Sequence, residues 1–204
     1  MALKYKHYAA AYDSVDRREY YQRVIFPERI SFFGDIWSSD KKLIINELPI
    51  IFRGMAFGID PDGVVAVLGK PRFVIENYGL SSLIYFYKEK INNHRIVTQV
   101  HFRGNEFFYA CYTFRDELDA ERKIIKSVLL DKYGLAGSNL PEGQCHLVDQ
   151  SGNCIGIHDS VNFNILYLWG ADKIKDAVSV NAYSLLFGKD RAKKNEQDEL
   201  RSKL

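Results

Sequence analysis

Cys145, His146, Cys154 and His158 are of the residue types that bind zinc, whose usual ligands are thiolates and neutral imidazoles. A turn at Ser151-Gly152 or Gly152-Asn153 would fold them into a hairpin, with Cys145, Cys154 and His158 on one face and His146 on the other. Cys154 and His158 would then stand four strand residues apart, roughly 13 Å, whereas ligands at about 2.0–2.3 Å from one zinc must lie within about 4 Å of each other. The spacing therefore predicts no metal site. It predicts a hairpin with Val148, Ile155 and Ile157 inward and the polar residues outward.

Other constellations fail in similar ways. Gly63 to Lys70 has the outline of a phosphate loop, but five residues separate the two glycines and Pro71 stands where Ser or Thr must hold Mg²⁺. A capped helix accounts for the same residues. Asp60 and Asp62 could open a calcium loop, yet the later ligands and the closing glutamate are missing, so they read as acids at a helix start. Cys111, within Phe107-Phe-Tyr-Ala-Cys-Tyr, has no electropositive setting to activate it and reads as a small buried hydrophobe. Residues 103–110 partly echo an aromatic RNA-recognition strand but depart from it at three positions, and the order of elements around them is a meander. His101, paired with Asp159 or Glu106 in a sheet-lined pocket, is the one candidate acid or base.

Composition narrows the classes further. The chain has 204 residues, 47% hydrophobic and 26% charged, which is ordinary globular usage. A formal net charge of +2 argues for neither nucleic acid nor an anionic membrane as partner. No apolar run approaches the roughly 20 residues that span a bilayer, and the start lacks a secretory signal, so a cytoplasmic protein is expected. Three cysteines favour reduced thiols over a disulfide framework. The ending Ser202-Lys203-Leu204 matches the peroxisomal address and gives the alternative location for a eukaryotic source.

The elements that would position these residues follow from periodicity. Ser14 caps a short helix that ends before Pro27, within an N-terminal arm of residues 1–47 rich in tyrosine. Residues 48–57 read as a strand, with Pro49 placing it at a sheet edge or marking the strand's start. Asp60-Pro61 opens a helix that stops at Gly69 and Pro71. Strands follow at 72–77, 82–90, 94–103 and 106–114, with Asn92-Asn93 suited to a type I′ turn and Gly104-Asn105 to a II′ turn.

In that register one sheet face collects Leu83, Tyr85, Tyr87, Ile96, Val100, Phe102, Phe107, Tyr109 and Cys111 as core. The other face carries Phe86, Gln99, His101, Phe108 and Tyr112, a mix of aromatic and polar groups expected at a half-exposed, partner-contacting surface. A helix at 116–133 presents Leu118, Ile125, Val128 and Leu129 as its apolar stripe. Strands are expected again at 144–149, 153–159, 161–169 and 177–187, and a charged tail at 189–204.

The sum is an α+β protein of two helix-plus-antiparallel-meander units, 48–115 and 116–188, packed as one layered body. The words Leu68-Gly69-Lys70-Pro71 and the strands after them resemble the helix-plus-meander units of the beta-lactamase-inhibitor-protein-like group, which includes small outer-membrane assembly lipoproteins. The resemblance implies protein binding without catalysis, and it carries over no functional residue. The lipidation cysteine and export signal of the lipoprotein members are not in this sequence. The expected function is a non-catalytic protein-binding module or adaptor, an inhibitor or immunity-type partner included, that meets another protein or itself. No cofactor and no metal are expected. The alternative is a small-molecule-binding domain or enzyme with a sheet-lined pocket that uses His101 as acid or base.

Overall fold

The computed structural model describes residues 43–44, 48–78, 80–91, 94–114, 118–136, 145–159 and 162–178. The helix expected after Ser14 and the charged tail lie outside these residues, as does Ser202-Lys203-Leu204. Helix α1 spans Pro61–Leu68. Asp60 caps it, its carboxylate accepting from the Gly63 N–H at 2.8 Å, and Pro61 takes the first helical position, where no N–H is needed. Gly69, at φ 77°, closes the far end by donating its N–H to the Val65 carbonyl. Asp60 is thus a helix cap, and the glycines that outline a phosphate loop belong to a helix.

After a two-residue β1 (Leu43–Ile44), seven strands form an antiparallel sheet. They are β2 (Phe73–Tyr78), β3 (Ser81–Ile91), β4 (His94–Arg103), β5 (Glu106–Phe114), β6 (Cys145–Val148), β7 (Cys154–Asp159) and β8 (Phe163–Leu168). The spatial order is β1-β6-β7-β8-β5-β4-β3-β2, with β1 parallel to β6 at one edge. One meander runs from β2 to β5 and a second from β6 to β8, and the last strand of each pairs with the last strand of the other. Gly104 sits at φ 60°, as a II′ turn requires of its first central residue. Ile91 pairs with His94, so the β3–β4 connection falls at the predicted asparagines, which lie outside the described residues.

Helices cover both faces. On the front face lie α1, α2 (Asp119–Lys132) and the segment 48–60, closing a core of Phe52, Val64, Val100, Phe102, Phe107, Leu129, Ile155 and Phe163. On the back face α3, residues 172–178, packs Ile174 and Val178 against Phe108, Cys111, Cys154, Leu166 and Leu168. Residues 177 and 178, expected to begin a strand, are therefore helical, and 179–187 lie outside the described residues.

Three further expectations are corrected. The register shifts between His101 and Phe102, because Phe102 pairs with Phe107 while His101 pairs with Tyr109, leaving Phe108 as the extra residue of a β-bulge. Beyond the bulge the faces exchange. Tyr109 and Cys111, predicted on the core face, join the back cluster, whereas Tyr112 turns to the front. Second, residues 48–57 form no strand; Phe52 and Met55 bond reciprocally at 3.1 and 2.9 Å around Arg53-Gly54, both at positive φ, in a tight turn. Third, α2 points Ile125, Leu129 and Leu130 inward and leaves Leu118 and Val128 exposed, a rotation of the predicted stripe.

Candidate functional site

Of the five residues predicted to share a partner-facing surface, Phe86, Gln99, His101 and Phe108 are almost wholly buried on the back face. Tyr112 is half-buried on the front. The structure thus separates Tyr112 from the other four and gives them no exposed face in this chain. The reason lies in the bulge for Tyr112. For Phe108 it lies in α3, which packs over it.

His101 is 1% exposed, with Nδ1 2.9 Å from the Ser81 hydroxyl and Nε2 3.3 Å from Gln99 Oε1. Its ring stands edge-on to Tyr109 at 4.7 Å. Burial pushes its pKa down to about 3, so the imidazole is neutral at pH 7. A general acid or base needs a pKa near the working pH and a nitrogen free to meet the substrate, and this ring has neither. The two acids proposed as its partners are engaged elsewhere, Glu106 by Lys173 and Asp159 by Arg122 and Lys126 at 2.7 Å each. Those two cations hold the Asp159 carboxyl below its ordinary value against the opposing pull of burial.

The β6–β7 hairpin also departs from the zinc geometry. Asp149 closes its turn, accepting from the Asn153 N–H at 2.9 Å and from the Asn153 side-chain amide at 3.0 Å. Gly152, at φ 77°, donates to the Asp149 carbonyl. Cys154 and His158 stand at opposite ends of β7, and among the described residues no group of three or more His, Cys, Asp or Glu is placed to hold a metal ion.

A second constellation, on the front face, was not predicted. Strand alternation places Tyr85, Tyr87 and Glu89 of β3 on this face. Register then sets Tyr87 beside Thr98 and Thr98 beside Tyr112 across three neighbouring strands. The Arg53-Gly54 turn lowers Arg53 onto this row: its Nε donates to Tyr112 Oη at 2.9 Å, a terminal nitrogen meets Glu89 at 2.5 Å, and the guanidinium lies 5.7 Å from the Tyr112 ring centre. Thr98 Oγ1 donates to Glu89 at 2.8 Å. Phe52 packs against Tyr112 and Tyr167 at 4.9 and 5.2 Å between ring centres. Tyr133 closes the group from the end of α2.

Burial raises every phenol here. Tyr112 is pushed up to about 12, although Arg53 pulls the other way. Tyr133 is also pushed up to about 12, with Asp149 and Tyr112 adding to the effect of burial. Burial raises Tyr87 and Tyr167 as well, with Tyr85 and Glu89 adding to it at Tyr87 and Tyr133 and Tyr112 at Tyr167. Burial alone would lower Arg53, but Tyr112 and Glu89 carry it above its ordinary value. All the phenols therefore keep their protons at any physiological pH. The hydroxyls of Tyr87 and Tyr133 are buried and have no hydrogen-bond partner among the described residues. The sequence signal that could have found the group is the alternation Tyr85, Tyr87, Glu89 on one strand face. The arginine and the partner strands come from far along the chain.

The third feature is outward apolar surface. Ile124 and Val128, one turn apart on α2, are 61% and 64% exposed, and Leu118 and Val67 are exposed as well. Among the described residues no helix is long and apolar enough to cross a membrane. In comparison with known proteins, no family model matches the chain, and no curated protein or solved structure shows significant similarity to it.

Proposed function

We propose that this protein is a non-catalytic protein-binding module of the cytoplasm, and that its working surface is the outer side of α2. The observation that carries this reading is the exposed pair Ile124 and Val128, set at i, i+4 on a helix whose opposite side is already seated in the core. Apolar side chains at helical spacing that find no place in their own core are what a second protein covers when it docks on a helix face. The neutral, doubly engaged His101 supports the non-catalytic part.

Two finer readings belong with it. The chain is built of two helix-plus-meander units, α1 with β2–β5 and α2 with β6–β8, an arrangement in keeping with the joining of last strand to last strand. The likeness of Leu68-Gly69-Lys70-Pro71 and its meander to the beta-lactamase-inhibitor-protein-like group supports the same role, since members of that group bind proteins. The partner is another protein or a second copy of this chain. Native mass spectrometry of the full chain purified from its own source reads the partner directly. Replacing Ile124 and Val128 by serine is expected to abolish that complex with an unchanged circular dichroism spectrum. A complex that survives both substitutions refutes the α2 surface.

A further inference from the structure

The outer stripe of α2 extends beyond Ile124 and Val128. Ala120, Ser127 and Asp131 are exposed with them at helical spacing, while Ile125, Leu129 and Leu130 point into the core. Ala120 and Ser127 are small, so a second helix can come close to the two apolar side chains between and beside them. The charges are unevenly placed along the same helix. Asp119 and Glu121 stand in its first turn and Lys132 in its last, with Lys123 and Asp131 exposed between. Among the described residues neither Lys123 nor Asp131 enters an ion pair. They are eight positions apart, about 12 Å along the axis, and so do not meet within one helix.

We propose that what docks on α2 is α2 of a second copy of this chain, the two helices packed antiparallel about a two-fold axis midway between Ile124 and Val128. The proposal rests on the α2 surface argued above and names its partner. A two-fold contact sets a patch against itself in reverse, so it forms only where that patch is self-complementary. This one is. Ile124 meets the second copy's Val128, and Val128 its Ile124. Lys123 comes within one turn of the second copy's Asp131, and Lys132 lies across from its Asp119 and Glu121, so opposite charges face each other at both ends. The dipoles of the two helices are opposed as well. Leu118, 70% exposed at the N-cap, falls opposite Gly134, where no side chain stands in its way. Parallel packing would instead set each charge against its own kind. One 14-residue helix against another, about 21 Å long, lies below the roughly 1,200 Å² of a standard interface, so the dimer is weak and reversible.

Sedimentation equilibrium of the purified full chain, free of any other protein, tests the pairing. A monomer–dimer equilibrium with a dissociation constant on the order of 10 µM is expected. Replacing Ile124 and Val128 by serine should leave only monomer. Lys123→Glu puts like charges together at two symmetric places and should weaken the dimer about ten-fold. Adding Asp131→Lys to the same chain should restore it. A misfolded variant would not be rescued in this way, and parallel helices would not bring the two positions together. A chain that stays monomeric well above that constant overturns the second copy as partner; a different protein found on α2 in native mass spectra of source material would then keep the surface reading and sink only this one. A dimer indifferent to the serine pair lies elsewhere on the molecule and overturns the proposal. A dimer lost to the serine pair but not restored by the exchange of charges overturns the antiparallel arrangement.

Discussion

On the back of the sheet, His101 is hydrogen-bonded to Ser81 and Gln99 through both of its ring nitrogens; on the front, Tyr87 and Tyr133 are nearly as deeply buried and their hydroxyls have no hydrogen-bond partner among the described residues. The two regions share four strands and differ in how polar atoms inside them are treated. A satisfied buried polar group fixes one arrangement of its neighbours and has little left to offer a ligand. An unsatisfied one holds back a hydrogen bond that the fold itself does not make. Judged by residue type alone, the histidine face is the more chemical of the two. Judged by what is left unbonded, the tyrosine face is.

Register along β5 keeps the faces distinct, so shifting it gives the largest effect. Insertion of one alanine between Ala110 and Cys111 would move every later residue of β5 by one position and exchange Cys111 and Tyr112 between the faces. The expected outcome is loss of a cooperative urea transition, corresponding to more than about 4 kcal/mol. Phe108→Leu keeps the residue count and should cost less than about 1.5 kcal/mol in the same assay. Similar losses in the two variants would mean that ring packing, and not register, separates the faces.

Next in size is the pH dependence of the back face. Unfolded, His101 takes a proton near its ordinary value of 6.5; folded, it resists protonation down to about 3. Its neutral burial therefore leaves stability intact above the unfolded value, and stability falls as pH drops from there towards the folded one. Between pH 7 and pH 5 the loss attributable to this residue is about 2 kcal/mol. Urea titrations at the two pH values measure it, and His101→Gln should flatten the slope. If the slope persists in that variant, other groups carry the effect.

The smallest expected change concerns the cover of the front face. Asp159 ties the end of β7 to α2 through Arg122 and Lys126. Its depressed pKa adds stability above the ordinary carboxylate range, and this is lost as pH falls through the folded value. The three side chains are partly exposed, so Asp159→Asn should cost less than about 1 kcal/mol, and less again in high salt. A salt-independent loss in thermal melts would point to packing rather than charge.

What was legible in the sequence is what is decided locally. Asp60-Pro61 and Gly69 mark the ends of α1 within a dozen residues, and Gly104 announces its hairpin turn. The Phe108 bulge was not legible, because Phe107-Phe108-Tyr109 contains no glycine or turn former to mark an extra residue. Arg53-Gly54 did carry a turn signal, but it was obscured by the apolar residues on either side. The front-face group was beyond local reading for a different reason. Arg53 meets Tyr112 across 59 positions, and Asp149 accepts from the Ile50 N–H across 99. Aromatic and polar residues mixed on one strand face suggested a surface, yet Gln99 and His101 are buried and bonded to each other.

The joining of β5 to β8 has a consequence for the birth of the protein. Strand β5 is complete when the chain has reached Phe114, but its second neighbour is not finished until Leu168. During synthesis the meander from β2 to β5 therefore waits with an open, aromatic-rich edge while the intervening residues emerge. At a few to some twenty residues per second that interval lasts several seconds. Slow translation over this stretch, or a chaperone that shields the edge of β5, would set how much of the newly made chain escapes aggregation, whatever the stability of the finished fold.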